Sequence, residues 1–306
     1  MNERPQITSS SWLMVAILGL TWGGTFLVTE VALEGMTPFW LAAGRITFAS
    51  LIMIAVWGAR GFRLFDAPAT PATLATLTTI GALSSAVPFM LLAWGQQFVT
   101  AGFAGVSMAA VVLIVLPLAH FFVPGELMSW RKAVGFVIGF IGVCILIGSD
   151  AFESSGAALE VPGRIACFAA ASCYAVSSIL MRRLPGVDTI GLAAVVLLIG
   201  AVVVIPAAWI VDGAPVIPDQ KTLWVIAFLG LIPTAAANLL RVLVVRTAGP
   251  VFMSLVNYQV PVWSVVLGAL LLGEPLPATL LGAMALILGG VGLSQYGALT
   301  RLFKRP

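Results

Sequence analysis

Charged residues are scarce in this sequence. Aspartate, glutamate, lysine and arginine make up 9% of the 306 residues, whereas a soluble domain carries about 25%. So few charges cannot form a water-soluble surface, and the deficit extends over the whole length, which leaves no room for a separate soluble domain of about 50 or more residues. The 15 basic residues form no continuous stripe, so we expect no nucleic-acid partner.

Residues that carry out chemistry are also rare. Cys144, Cys167 and Cys173 lie inside apolar runs without the spacing of metal ligands, so we expect no disulfide framework, no metal site and no cofactor. An intramembrane enzyme would need paired mid-span carboxylates, a histidine–metal cluster or a nucleophile beside a base. None is visible, so we expect no catalytic residues. A channel would show rings of polar residues, and these are not visible either.

Long apolar runs fill the chain instead. Hydrophobic residues make up 60% of it, and a membrane-spanning helix needs about 20 mainly apolar residues. Glycine, proline and charged residues delimit ten runs, at 12–32, 38–58, 72–94, 100–122, 132–149, 162–181, 189–211, 221–243, 249–272 and 278–297. We interpret the first as a retained helix, because Glu3 lies beside Arg4 ahead of it and no cleavage site follows. The pattern predicts an all-α integral membrane protein with ten transmembrane helices.

Basic residues predict the orientation. Ten spans place both termini on one side of the bilayer, and lysine and arginine are retained on the cytoplasmic side. With the termini inside, two basic loop residues lie outside, Arg164 and Lys221. Eleven lie inside: Arg4, Arg60, Arg63, Arg131, Lys132, Arg182, Arg183, Arg246, Arg301, Lys304 and Arg305. We therefore expect a multi-pass protein of the bacterial inner membrane with cytoplasmic N- and C-termini and the lipid bilayer as its surroundings.

The second half of the chain repeats the first at an offset of about 148 residues. Short elements recur in the same order. Ala101-Gly102 matches Ala248-Gly249, Ser107 matches Ser254, and Gly125-Glu126 matches Gly273-Glu274. The repeat predicts two five-helix units, 1–150 and 151–306, within one membrane domain. Because five is odd, the two units are inverted relative to each other, an architecture that lets a central cavity open alternately to either side.

Several motifs in this order carry a family resemblance. They are Trp22-Gly23-Gly24-Thr25 in the first span, Arg45 in the second, and the paired elements Gly125-Glu126 and Gly273-Glu274. With them the chain resembles the drug/metabolite transporter superfamily, specifically the EamA-like bacterial metabolite exporters, over essentially all of its length. The resemblance implies a central substrate cavity and export of small molecules, with exporters of aromatic or other neutral amino acids as the most similar branch. Phosphate-carrying relatives generally have strongly basic cavities, whereas intramembrane cations are few here.

Prolines in equivalent helices indicate where a substrate binds. Pro88 in the third span has a counterpart in Pro233 of the eighth, and Pro117 in the fourth has one in Pro261 of the ninth. A broken helix frees backbone groups that need partners or a cavity. Proline is also simply common in membrane helices, but these four spans concentrate polar side chains as well. We therefore predict that they form the cavity walls.

Polar side chains near these breaks form the predicted substrate site. They comprise Ser84, Ser85, Ser107, Asn238, Asn257, Tyr258 and Gln259. The last three offer donors and acceptors for an amino or carboxyl group, although interhelical hydrogen bonding explains them as well. Arg45 and Arg241 are charged forks that suit a substrate carboxylate. Either arginine could instead pair with backbone carbonyls or extend to the cytoplasmic interface.

Aromatic residues complete the predicted site. Seven of them could line an apolar cavity and stack on a flat substrate: Trp22, Phe26, Phe89, Trp94, Tyr174, Tyr258 and Trp263. In the first helix of each half a hydroxyl residue follows the aromatic one, as Thr25 follows Trp22 and Ser177 follows Tyr174. We include both hydroxyls in the site. Tryptophans near span ends are typical of the membrane interface instead.

The sequence favours facilitated export. A proton-driven antiporter usually has an intramembrane aspartate or glutamate, but Glu30, Glu126 and Glu274 lie at predicted span ends. His120, near the cytoplasmic end of its span, is the possible proton-coupling residue, because histidine titrates near neutral pH. We expect gradient-driven export by alternating access, with a proton-coupled antiporter as the alternative.

Small residues in the fifth and tenth spans indicate close helix contact. Gly135 and Gly139 lie one turn apart in the fifth span, and Gly282, Gly289 and Gly290 lie in the tenth. Such residues let two helix backbones approach. We expect these two spans to be structural, and the protein to be a monomer or a weak homodimer.

Overall fold

The described residues form ten apolar helical runs, in the predicted order. The computed structural model describes residues 5–95, 97–99, 101–148, 152, 154, 156–215, 217–273 and 279–303. Six runs are single helices: Ser9–Leu33, Pro38–Gly58, Trp130–Ile147, Glu160–Arg183, Thr189–Asp212 and Leu280–Ser294. Four are composite: Pro71–Gly81 with Ala82–Ala86 and Val87–Gly95; Ala101–Ala109 with Val111–Phe122; Gln220–Leu229 with Gly230–Ala236 and Ala237–Thr247; and Pro250–Met253 with Val256–Leu272. The short helix Tyr296–Phe303 follows. The predicted all-α membrane fold with ten spans is confirmed.

Short polar residues and prolines mark where the spans begin. Thr8, Thr70, Ser129, Asp188 and Asp219 each accept a hydrogen bond from a backbone N–H of the first turn. Proline occupies the first turn of the second, third and ninth spans. Lipid offers no partner to the free N–H groups of a helix end, so these caps favour ends at the membrane surface. The observed ends accordingly lie close to the predicted ones.

The connecting loops gather at two opposite ends of the bundle. At one end Lys221 Nζ donates to Glu34 Oε2 at 2.8 Å, joining the first span to the eighth. At the other end the Asp66 N–H donates to the Gly186 carbonyl at 2.9 Å, and the Gln6 N–H donates to the end of the eighth span. The first and eighth spans therefore each pass from one end to the other. Which end is cytoplasmic stays a prediction from the basic residues.

π-Helical segments interrupt the third and eighth spans at equivalent positions. They cover Ala82–Ala86 and Gly230–Ala236, and their starts are separated by the repeat offset. A π turn widens the helix and changes which carbonyls are paired, and it frequently occurs at functional sites. Pro233 lies inside the second segment, and Pro88 lies two residues after the end of the first. The two predicted proline breaks therefore lie at or beside changes in the helical hydrogen-bond pattern.

The spans pack in pairs that follow the repeat. The second span lies against the seventh and the fifth against the tenth, so both pairs join equivalent members of the two halves. The first span packs on the ninth and the sixth on the fourth, which is the same contact with the halves exchanged. The third and sixth spans, and the eighth and first, are related in the same way. The division of the chain at residue 150 stays a prediction.

Glycines bring the fifth and tenth spans together closely. A Cβ added at Gly290 would lie 2.5 Å from the carbonyl oxygen of Gly135 and 2.6 Å from the nitrogen of Gly139. The ninth span joins this contact, because the Tyr258 hydroxyl donates to the Phe136 carbonyl beside Gly139. The face that carries Gly135 and Gly139 is therefore occupied inside the chain. The oligomeric state stays a prediction.

Glu126 joins the two halves outside the membrane-spanning helices. Its side chain is 6% exposed, its carboxylate accepts the Val251 N–H, and Lys132 Nζ lies 3.8 Å from Oε2. Gly249 has a φ of +94°, and a Cβ there would overlap Oε1 of Glu126, so glycine permits this approach. Burial raises the pKa of the Glu126 carboxyl, while Lys132 and Arg182 act in the opposite direction.

Glu126→Gln is expected to make thermal stability less dependent on pH. The raised pKa means that the fold favours the protonated carboxyl, so its stabilisation is fully present below the usual value of 4.5 and is lost as pH rises through the raised pKa. Glutamine keeps the shape without ionising. The free energy of unfolding should therefore fall less with rising pH in the variant than in the wild type, as measured by unfolding in detergent between pH 5 and pH 8. An equal pH response of both proteins would contradict the prediction.

Candidate functional site

Two arginines are buried against neutral partners inside the bundle. Arg45 of the second span is 7% exposed, and its Nε donates to Thr234 Oγ1 of the eighth span at 3.0 Å. Arg241 of the eighth span is 6% exposed, and its Nη2 donates to the hydroxyls of Ser177 and Ser178 in the sixth span, at 3.0 Å and 3.3 Å. Neither arginine side chain is exposed at the surface of the protein. Both are held inside the protein by hydroxyl groups.

Aromatic rings lie beside both guanidinium groups. Arg45 Cζ is 5.4 Å from the centroid of the Phe89 ring, and Arg241 Cζ is 5.9 Å from that of Tyr174. Tyr174 is also within electrostatic reach of Arg45, so the two cations act on one region. Cation–π attraction of this kind orients a guanidinium over a ring face. We refer to Arg45, Phe89, Tyr174, Ser177, Ser178, Thr234 and Arg241 as the arginine cluster.

The described partners of these charges do not neutralise them. Among the described residues the ion pairs lie elsewhere, between Lys132 and Glu126, Arg164 and Glu160, and Lys221 and Glu34. A buried charge without an opposite charge is unfavourable, and such groups in membrane proteins mark substrate or ion pathways. Guanidinium groups bind carboxylates through parallel hydrogen bonds. The arginine cluster is therefore suited to bind an anionic group.

The second π segment positions part of the cluster. The Thr234 hydroxyl donates to the Leu229 carbonyl at 2.7 Å and accepts the bond from Arg45, so its orientation is determined by the widened turn. Nearby, Trp22 Nε1 donates to the Pro233 carbonyl at 3.0 Å and joins the first span to the same segment. Sequence reasoning missed Thr234 and also Ser178. The sequence features that could have indicated them are that Thr234 follows Pro233 and that Ser178 follows the predicted Ser177.

Other predicted residues lie on the spans that form the cluster. Asn238 is buried on the eighth span and donates to the Ala193 carbonyl of the seventh at 3.1 Å. The Ser85 hydroxyl donates to the Gly81 carbonyl within the third span. Ser84 is 6% exposed, and its hydroxyl has no partner among the described residues. The predicted polar site is thus partly assembled around the third and eighth spans.

Three predicted polar residues bond to backbone carbonyls of their own spans. Thr25 donates to the Thr21 carbonyl, Ser107 to that of Phe103, and Asn257 to that of Ser254. Such bonds occupy a hydroxyl or amide without needing a cavity. The fourth and ninth spans, predicted as cavity walls, contribute no residue to the arginine cluster. A substrate role for Ser107 and Asn257 stays a prediction.

The remaining predicted residues of the ninth span pack against the first span. A Cβ at Gly19 would meet the Gln259 side chain at 2.7 Å, and one at Gly23 would meet Trp263 Cβ at 2.5 Å. Tyr258 faces the fifth span instead, as described above. Pro261 lies inside the helix that carries these residues. The densest polar sequence cluster is therefore divided among several helix contacts.

Further predicted residues lie apart from the arginine cluster in their described contacts. Trp94 packs edge-on against Phe98 with ring centroids 5.1 Å apart. His120 Nδ1 accepts the N–H of Met128 in the loop after the fourth span. Pro117 lies exposed inside the same span. The Phe26 side chain and all of Glu274 lie outside the described residues, so their roles stay predictions.

A separate groove of about 530 Å³ is apolar. It is lined by Phe140, Ile141, Cys144, Ile145, Gly148, Phe152 and Thr279, near the ends of the fifth and tenth spans. It shares no residue with the arginine cluster, and none of the described residues that line it is charged. A polar metabolite needs placed polar groups in its site. We therefore place the candidate site at the arginine cluster.

Similar proteins are found in bacteria and in an archaeon, Archaeoglobus fulgidus. The model of the EamA-like transporter family matches residues 9–148 and 161–295. The uncharacterized inner membrane transporter YedA of Escherichia coli K12 is 27% identical over 285 residues, which are 92% of this chain and 89% of that protein. The probable terminal-alkyne amino-acid exporter of Streptantibioticus cattleyicolor is 26% identical over 302 residues, or 97% and 96%. A solved crystal structure has a TM-score of 0.79 at 24% identity and covers 98% of this chain.

Proposed function

Because this chain belongs to the EamA-like transporter family, we propose that it exports a small carboxylate-bearing metabolite, an amino acid in the first instance, across the bacterial inner membrane. Membership makes it a multi-pass membrane transporter, and its relatives are named as transporters. One of them is named as a probable amino-acid exporter, which supports the substrate class. The orientation with both termini in the cytoplasm belongs to the same proposal.

The buried arginine pair carries this proposal. A transporter that binds an amino acid needs a group that recognises the carboxylate common to all of them. Arg45 and Arg241 provide two permanently charged forks, and Phe89 and Tyr174 provide apolar ring surface beside them. These four residues were all predicted as site residues. Their convergence from the second, third, sixth and eighth spans supports one substrate site.

Alternating access is the proposed mechanism. The two halves make exchanged contacts, and the site draws the second and third spans from the first half and the sixth and eighth from the other. Rocking of one set of helices against the other would expose such a site to each side in turn. The described groups of the arginine cluster are arginines, a tyrosine and hydroxyls, which do not exchange protons near neutral pH. This favours facilitated export over the proton-coupled alternative.

Flux measurements test the proposal. We expect saturable counterflow of at least one labelled amino acid in vesicles reconstituted with the full chain, with little change when a pH gradient is imposed. Protein-free vesicles provide the control for leakage. Absence of saturable flux for every amino acid tested would reject the amino-acid proposal. Flux that requires the pH gradient would establish the proton-coupled alternative.

Thr234→Val is expected to weaken substrate binding about three- to tenfold, while Thr234→Ser restores it. Valine keeps the shape but removes the acceptor that holds Arg45 Nε, and a hydrogen bond to a charged group is worth about 1.5–3 kcal/mol. Part of this loss is recovered because the guanidinium can reorient. The effect should appear in the half-saturating concentration rather than in maximal flux. Equal half-saturation in wild type and the valine variant would contradict a positioning role for Thr234.

A further inference from the structure

The arginine cluster contains more positive charge than one zwitterion can balance. Arg45 and Arg241 contribute two permanent charges, and their described contacts are hydroxyls and aromatic rings. A neutral amino acid brings one carboxylate together with one ammonium group. The carboxylate can pair with one guanidinium, but the ammonium then lies near the other and is repelled by it. A substrate with a second acidic group balances both cations.

The two guanidinium groups also present separate hydrogen-bonding edges. Thr234 engages only Nε of Arg45, and Ser177 and Ser178 engage only Nη2 of Arg241. The other guanidinium nitrogens have no hydrogen-bond partner among the described residues. Each arginine therefore retains donors for one acidic group. The two sets of donors belong to the second and eighth spans, so they define two positions rather than one.

We propose that this site selects substrates with two acidic groups and a net negative charge, such as dicarboxylic acids or acidic amino acids, over neutral amino acids. The inference rests on the proposed function, because it names the substrate class of the same site. Arg45 would bind one acidic group and Arg241 the other. Tyr174 and Phe89 would contact the carbon skeleton between or beside them. A single carboxylate would leave one guanidinium unpaired.

Matched ligand pairs test this selectivity on the purified full chain. Glutamate and glutamine differ by one carboxylate in place of an amide, and phthalate and benzoate differ by one carboxylate on the same ring. Ligands that bind the native state raise its unfolding midpoint, so thermal shifts in detergent at pH 7 give apparent affinities. For at least one pair, we expect the half-saturating concentration of the doubly acidic member to be lower than that of its partner by a factor of about ten or more. One additional charge-assisted hydrogen bond predicts a difference of this size.

Variants connect the selectivity to the two arginines. Arg45→Gln and Arg241→Gln should each remove the difference within any ligand pair that the wild-type chain distinguishes. Arg131→Gln is the matched control, because Arg131 is exposed in the first turn of the fifth span, beside Tyr296. This variant should keep the selectivity of the wild type. The ligand comparison on the wild-type chain is independent of how well any variant folds.

The outcomes separate this inference from the proposed function. Equal response to both members of each pair, including no response to any of them, overturns the inference. If neutral amino acids still show saturable flux in that case, the exporter proposal stands without the selectivity. Selective binding of the doubly acidic ligands without flux of any amino acid would support the site and reject amino-acid export.

Discussion

Arg241→Gln is expected to reduce substrate flux by roughly 10- to 100-fold at subsaturating concentration, with little change in thermal unfolding. A hydrogen bond to a charged group contributes about 1.5–3 kcal/mol, which corresponds to that range. The fold should tolerate the change, because removing a buried charge whose partners are neutral also removes its desolvation penalty. Ser177 and Ser178 keep their hydrogen bonds to the Tyr174 carbonyl. Counterflow and an unfolding curve measure the two effects on the same preparation.

Arg246→Gln provides the matched control on the same helix. Arg246 is also buried, but it donates to the carbonyls of Met181 and Leu184 at the end of the sixth span. Its loss leaves carbonyls without that donor, so we expect lower stability and unchanged flux for each folded molecule. Normal transport by Arg241→Gln would show that the substrate site lies elsewhere in the bundle. The ten-span fold would be unaffected by that result.

Gly290→Ala is expected to destabilise the protein by about 3 kcal/mol or more. The added Cβ would lie 2.5 Å from the Gly135 carbonyl oxygen and 2.6 Å from the Gly139 nitrogen. Overpacking usually costs about 1–3 kcal/mol, and this case lies at the upper end because backbone atoms cannot rotate away. The unfolding midpoint in detergent should fall by roughly 5–10 °C.

Gly289→Ala is the control for the same substitution one residue earlier. A Cβ at Gly289 would have no heavy atom within 4 Å. Alanine is favoured over glycine in a helix by about 1 kcal/mol, so the midpoint should stay level or rise slightly. Similar destabilisation by both substitutions would contradict the close contact between the fifth and tenth spans.

Hydropathy, together with the polar, charged and proline residues at the helix ends, was sufficient to predict which segments cross the bilayer. Transfer of an uncapped or charged helix end into lipid is unfavourable, and this penalty acts on each segment separately. The second span therefore runs from Pro38 to Gly58, as the apolar run at 38–58 predicts. The fourth span is less simple, because its helices end at Ala109 and restart at Val111. The repeat similarly indicated breaks in both the third and the eighth span, at prolines that lie about one helical turn out of strict repeat register.

The hydrogen-bond partners of the polar side chains, in contrast, were determined by how the helices pack against each other. Within lipid an amide or hydroxyl must find some partner, and its own helix, a neighbouring helix and a ligand all satisfy that requirement. Asn257 bonds within its own span, whereas Arg45 bonds to Thr234 on a different span. Local composition is compatible with either outcome. The choice depends on which neighbour each helix faces, a rotation about the helix axis that hydropathy leaves undetermined and that close packing of the bundle sets.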